Sequence, residues 1–151
     1  MKARRPLRMS PLLETQKRLL VVEDEQALLS TLREELEEAG FAVDPAITGE
    51  EAVRKARANA PDAVILDLLL PGGLDGMGVL AQLKEDDHTR AIPVIILSNI
   101  GEDESIREAL DQGADAYFIK TRYSLQDLIE RLHVLLQERP RPATPTIGSV
   151  P

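Results

Sequence analysis

The chain has no cysteine. That excludes a disulfide framework and any thiolate metal site, and it fits a reducing compartment. Aromatic residues are only 3% of the total, so a core must be assembled from Leu, Val, Ile and Ala. Long apolar runs are missing as well. The longest stretches are four to six residues, as in Ile92 to Leu97, against the roughly 20 needed to span a bilayer. The leading segment MKARRPLRMSPLLETQKR is basic but lacks an apolar centre of signal-peptide length. These absences lead to the expectation of a cytoplasmic protein without membrane insertion.

Charge of one sign is scarce where it would matter for nucleic acid. The net charge is −8; residues 1–18 carry +5 and residues 139–151 carry +2, which leaves −15 for residues 19–138. A nucleic-acid face on that middle part is disfavoured, because phosphate backbones demand cations. The basic leader reads as a solvated extension. The end, RPRPATPTIGSVP, has four prolines in thirteen residues and reads as an extended tail. The expected division is therefore a leader over 1–17, one folded domain over 18–138 and a Pro-rich tail over 139–151. With 151 residues, 43% of them hydrophobic, one domain with a good core is what the chain can build.

Within 18–138 the pattern alternates. Short apolar runs stand at Leu19–Val22, Ala63–Leu66, Pro93–Leu97 and Ala116–Ile119, with a weaker one at Phe41–Val43. Each is followed by apolar residues at helical spacing. Leu28, Leu32 and Leu36 lie four apart and end at Gly40. Thr48 and Glu51 form a capping-box signature for a second helix over Glu50 to Ala58. Val79, Leu80 and Leu83 mark a third; Ile106, Ala109 and Leu110 a fourth, stopped by Gly113. Leu125, Leu128, Ile129, Leu132, Leu135 and Leu136 mark a fifth, capped by Ser124. Strand-helix alternation with buried strands predicts an α/β fold, (βα)5, with a parallel sheet covered on both faces.

The strand ends carry the chemistry. LLVV runs into Glu23-Asp24, AVIL into Asp67, VIIL into Ser98 and AYFI into Lys120. In a parallel sheet all these ends share one rim, where open α/β sheets bind ligands. Taken singly, Glu23-Asp24-Glu25 reads as helix capping, Ser98 as a satisfied hydroxyl and Lys120 as a surface lysine. Asp67 resists that treatment, because it interrupts an otherwise apolar run and a buried carboxylate needs a partner. Three carboxylates at one mouth repel, and one lysine does not neutralise them. A hard divalent ion does, and Mg²⁺ takes oxygen ligands. An Asp can also accept a phosphoryl group as nucleophile, with hydroxyl and ammonium groups on the phosphoryl oxygens.

In combination, VVED, DLLLP, VIILS and GADAYFIK resemble the receiver domain of two-component response regulators, over residues 19 to about 137. The resemblance implies a doubly wound, flavodoxin-like sheet of five strands in the order 2-1-3-4-5. It implies Asp67 as phosphoacceptor, served by a histidine kinase, a histidine phosphotransfer protein or a small phosphodonor. Mg²⁺ would be held by Asp24 and Asp67 directly, by Glu23 through a water and by the Leu69 backbone carbonyl. Ser98 and Lys120 would take the phosphoryl group, and Tyr117 would turn inward with Ser98. Slow self-catalysed loss of the phosphoryl group, rather than enzymatic turnover, is implied too. So are signalling to a downstream target protein and homodimerisation through the face of helix 4, strand 5 and helix 5.

Three positions depart from the family pattern. Lys120 is followed by Thr121, where proline in a cis bond is usual; without proline a cis bond costs about 2.5–4 kcal/mol. The loop after Asp67 is one residue longer before Asp75-Gly76, with Gly72-Gly73 taking up the slack. Asn99 follows Ser98 in place of a small residue. Leu69 and Ile100, two beyond Asp67 and Ser98, line the water's approach in this family; both are apolar, which predicts a long-lived acyl phosphate. With only the short tail after the fifth helix, a stand-alone receiver is expected. Two other classes compete. A haloacid-dehalogenase-like phosphatase needs an acid at the position of Leu69. A pseudo-receiver binding module need not keep the complete set of Glu23, Asp24, Asp67, Ser98 and Lys120. A nucleotide-binding module is weaker, because EDEQALL after the first strand is no glycine-rich cradle. His88 and His133 read as solvated residues away from the site.

Overall fold

A computed structural model describes residues 16–138; the leader, apart from Gln16 and Lys17, and the tail lie outside the described residues. Five strands, β1 (Arg18–Val22), β2 (Ala42–Ala46), β3 (Ala63–Leu66), β4 (Val94–Ser98) and β5 (Ala116–Ile119), alternate with five helices. The helices are α1 (Gln26–Glu38), α2 (Gly49–Asn59), α3 (Gly76–Glu85), α4 (Asp103–Asp111) and α5 (Leu125–Glu138). All pairings are parallel, in the order β2-β1-β3-β4-β5.

Alternate residues of the central strands feed two cores. Leu20, Val22, Val64, Leu66, Val94 and Ile96 pack with Ala52, Ala56, Val79, Leu80, Leu83 and Ala109, so α2, α3 and α4 cover one face. Leu19, Val21, Ala63, Ile65, Ile95 and Leu97 pack with Leu29, Leu32, Leu36, Leu128 and Leu132, so α1 and α5 cover the other. That is why these strands read as continuous apolar runs: both faces are buried. Each fully buried Leu or Ile contributes about 1.5–3 kcal/mol by leaving water.

The edge strand differs from the sequence reading. β2 continues through Asp44 and Pro45 to Ala46, beyond the Phe41–Val43 run. Proline lacks the N–H of a ladder donor, but β2 pairs only with β1, so its outer side asks for none. The capping box of α2 is also modified. Thr48 Oγ1 accepts the Glu51 N–H at 3.1 Å, but the Glu51 carboxylate accepts the N–H of Ile47, one residue earlier, at 2.9 Å. Ser124 caps α5 as its sequence suggests, accepting from Asp127 N–H at 3.0 Å.

Two close approaches fix the C-terminal edge of the sheet. A Cβ on Gly76 would stand 2.3 Å from the Asp67 carbonyl oxygen and 2.3 Å from Leu68 Cα. Only glycine lets α3 start directly against the end of β3. A Cβ on Gly49 would stand 2.3 Å from the Leu74 carbonyl oxygen, so the loop after β3 leans on the first turn of α2. The longer loop is thereby packed rather than looped out.

Candidate site at the mouth of the sheet

Asp67 follows the last residue of β3 and extends the ladder, its N–H donating to the Val22 carbonyl at 3.1 Å. It is 4% exposed, Glu23 is 2% and Ser98 is 0%. These numbers decide that the strand-end polar groups line an interior mouth, not a solvated fringe. Carboxylate oxygens of Glu23, Asp24 and Asp67 all lie within 4.8 Å of one another. Asp24 is the exposed member.

The acids after β1 are not helix caps. Glu25 stands at the N-cap of α1 without a side-chain capping bond. Glu23 turns inward instead. Its Oε2 accepts the Glu25 N–H at 2.9 Å and its Oε1 takes Lys120 Nζ at 2.9 Å. The same Nζ donates to Asp67 Oδ2 at 2.8 Å. One ammonium therefore serves two carboxylates. Burial pulls the Lys120 ammonium toward neutrality, but the hydrogen bonds it donates to Asp67 and Glu23 outweigh that and hold its pKa above the usual lysine range. Glu23 receives only a share of that cation. Burial dominates there and pushes its carboxyl above the usual range, although Lys120 and the Glu25 N–H pull it down.

The other oxygen of Asp67, Oδ1, accepts the Leu69 N–H at 3.1 Å. This local turn orients the carboxylate, while the Leu69 side chain is 58% exposed. Ser98 Oγ accepts the Ile100 N–H at 3.3 Å. Tyr117 is half-buried against the core under α2–α4, and its hydroxyl donates to the Ile100 carbonyl at 2.6 Å. Ile100 is thus held by Ser98 from one side and by Tyr117 from the other. Burial pushes the Tyr117 phenol up, eased by its hydrogen bond with Ser98. Among the described residues no peptide bond is cis, so Lys120-Thr121 is trans. Lys120 still reaches Asp67, because its N–H bonded to the Ser98 carbonyl at 2.9 Å fixes where its side chain starts.

All the singled-out polar side chains, Glu23, Asp24, Asp67, Ser98 and Lys120, thus gather at one mouth, with Tyr117 joined through Ile100. His88 is largely exposed beside Asp86, and His133 packs its ring against Phe41 at 5.6 Å. Asn99 is exposed and has no hydrogen bond among those described. Two residues escaped the sequence reading. Gly76 was noted only for its spacing; its closeness to Asp67 is a contact no spacing reveals. Arg122, a second cation two residues beyond Lys120 on a rim of acids, was legible as charge alone. A cleft of about 650 Å³ elsewhere, lined by Glu50, Val53, Arg54, Arg57 and His88 among others, holds none of the clustered acids, and its Arg57 is tied to Asp86 at 2.9 Å.

Residues 19–133 match the family model described as response regulator receiver domain. The chain is 38% identical over 130 residues to the transcriptional regulatory protein PrrA of Mycobacterium tuberculosis, covering 86% of this chain and 54% of that protein. It is 37% identical over 120 residues to the phosphate regulon transcriptional regulatory protein PhoB of Rhizobium meliloti, covering 80% and 52%. The chain spans about half the length of the curated relatives it matches. Among solved structures, a Francisella response regulator 1452 receiver domain superposes with a TM-score of 0.76 at 30% identity, covering 83% of this chain and 100% of that one. A CheY-like receiver domain protein from Methanospirillum hungatei also gives 0.76, at 27% identity over 83% and 97%.

Proposed function

The chain belongs to the response regulator receiver domain family, and from that footing we propose that residues 18–138 accept a phosphoryl group on Asp67 in a Mg²⁺-dependent reaction. One observation carries the reading: the buried Asp67 shares a single ammonium with Glu23 inside a cluster of three carboxylates. One cation against three acids leaves negative charge that only a further cation relieves.

The donor set fits Mg²⁺, being hard oxygen throughout. Asp24 and Asp67 would hold the ion with carboxylates, Glu23 by way of a water and Leu69 by its carbonyl. When bound, it supplies neutralisation of the acids and of the incoming phosphoryl oxygens. The chain's own groups do the rest. An Asp67 carboxylate oxygen forms a bond to phosphorus as the phosphorus–nitrogen bond of a donor phosphohistidine breaks, the electron pair staying on the imidazole nitrogen. Ser98 O–H donates to one phosphoryl oxygen and Lys120 pairs with another. Tyr117, bonded to the loop that carries Ser98, relays the movement of Ser98 to the far side of β5. The receiver takes one phosphoryl group per chain and loses it slowly to water, so it is an acceptor and not a turnover enzyme. An Asp-nucleophile phosphatase fits less well, because Leu69 stands where its second acid is required.

The partners follow from the same reading: a histidine kinase or phosphotransfer protein at the mouth, and a downstream protein or second copy on the α4-β5-α5 face. Leu110 of α4 and Val134 of α5 are each 43% exposed, which supports a protein contact on those helices. The relatives are about twice as long, so the proposal is made for the receiver unit, and the acid excess of residues 19–138 argues against nucleic acid on this unit itself. The test is an intact mass after incubation with Mg²⁺ and acetyl phosphate. The expected result is a gain of one phosphoryl group that disappears in Asp67→Asn and in chelator; no gain in the parent sinks the reading.

A further inference from the structure

The rim around the site is short of cations. The loops between strand ends and helix starts carry six acids (Glu23, Asp24, Glu25, Asp67, Asp75 and Glu102) and only two cations, Lys120 and Arg122. Lys120 is taken by Glu23 and Asp67. Arg122 is exposed and has no ion pair among the described residues. Its location is set by its N–H, which donates to the Ile119 carbonyl at 2.9 Å. Its guanidinium lies over the loop after β4: a Cβ on Gly101 would stand 4.0 Å from Arg122 Nη2 and 3.2 Å from Ile119 Cδ1. Gly101 is three residues beyond Ser98, so the guanidinium lies beside the loop that carries Ser98, the half of the mouth away from the β1 acids.

We propose that Arg122 is a capture residue for the phosphodonor, drawing the doubly charged phosphoryl end of the incoming molecule past the acidic rim toward Ser98 and Asp67. The inference rests on the phosphoacceptor reading above. The physical need is plain. A donor of this chemistry, whether a small acyl phosphate or a phosphohistidine on a protein, is repelled by the rim carboxylates before it meets the buried lysine. A charge exposed on the rim acts during approach, so it governs the encounter rate and its salt dependence rather than the chemical step. Arginine also suits phosphoryl oxygens by its forked donors. A role confined to holding the loop would instead alter stability and be indifferent to salt.

The experiment follows phosphorylation of the full chain by intact mass in Mg²⁺, with acetyl phosphate and with phosphoimidazole, the latter standing for phosphohistidine. Parent, Arg122→Ala, Arg122→Glu and Arg122→Lys are compared at low and high salt. At low salt and limiting donor, Arg122→Ala is expected to lower the second-order rate roughly threefold to tenfold. Arg122→Glu lowers it further and Arg122→Lys restores most of it. In high salt the differences collapse, and at saturating donor the rates converge. A loss with acetyl phosphate alone assigns Arg122 to small donors; a loss with both assigns it to the shared phosphoryl chemistry. Rates of Arg122→Ala equal to the parent at low salt with both donors, or a loss unchanged by salt, would overturn the proposal. If the parent itself gained no mass, the acceptor reading would fall, and this inference with it.

Discussion

Lys120 is shared by two acids, and most of what the site does follows from that sharing. The lysine gains from both partners while Glu23 receives too little to offset its burial. The site is therefore charged beyond what its own residues neutralise. Two apolar side chains set a second property. Leu69 is exposed and Ile100 has its N–H and carbonyl engaged by Ser98 and Tyr117. Neither side chain has an atom that could orient a water for attack on an acyl phosphate. We expect the phosphorylated protein to release phosphate slowly, and a Leu69→Asn, Ile100→Glu variant to release it at least roughly tenfold faster, since a positioned polar group is worth that much or more. A phosphate-release time course decides; equal rates in parent and variant would count against the expectation.

At the scale of elements, the start of α3 against the end of β3 matters most. Gly76 N–H donates to the Leu68 carbonyl at 2.9 Å, and the glycine's bare Cα lies against the Asp67 and Leu68 backbone. Gly76→Ala places a methyl 2.3 Å from backbone atoms, which no rotamer change relieves. The expected cost is about 1–3 kcal/mol of overpacking strain, with slower phosphorylation because Asp67 shifts with its strand end. Gly73→Ala is the control: its Cβ would meet Glu50 Oε2 at 3.5 Å, an ordinary contact, and its effect should stay within about 0.5 kcal/mol. Urea denaturation of the two variants separates them; equal midpoints would remove the packing account.

For the whole molecule, stability and function pull apart. Residues 19–138 carry a large acid excess, and the mouth adds Glu23 with its carboxyl raised by burial. An acid whose folded pKa is raised costs stability as pH rises from its ordinary 4.5 through the raised value. Glu23→Gln avoids that cost and keeps an acceptor for Lys120. In chelator at neutral pH the variant should be more stable by on the order of 1 kcal/mol, the advantage fading as pH falls toward the usual carboxylate range. Mg²⁺ should stabilise the parent more than the variant, by mass action on the folded form. A variant less stable than the parent at every pH in chelator would contradict this. On the alkaline side Lys120, Tyr117 and Tyr123 all have raised values. Each favours the protonated folded form, so the contribution of these three groups is unchanged below about pH 10 and stability declines as pH rises through their folded values.

The architecture was legible in the chain because it depends on local pattern. Apolar runs long enough for a strand, apolar spacing right for a helix, and caps at Thr48 and Ser124 sort residues without knowledge of neighbours in space. The strand ends were legible for the same reason: one hydrophilic residue closing each buried run, so Asp67, Ser98 and Lys120 could be named in order, and the resemblance to receivers rested on those same residues. β2 runs past the apolar stretch Phe41–Val43 through Asp44 and Pro45, residues that local pattern does not favour in a strand, and only the sheet order places them on an edge that tolerates the proline. Three things needed the fold in three dimensions. Lys120 bridges Glu23 and Asp67, 97 and 53 positions apart in sequence. Gly76 admits α3 against Asp67. Arg122 stands on an acidic rim without an ion pair among the described residues. Sequence order determines which groups reach the edge of a parallel sheet, but distance, burial and the division of one charge among several claimants are properties of the packed rim, and those set the chemistry.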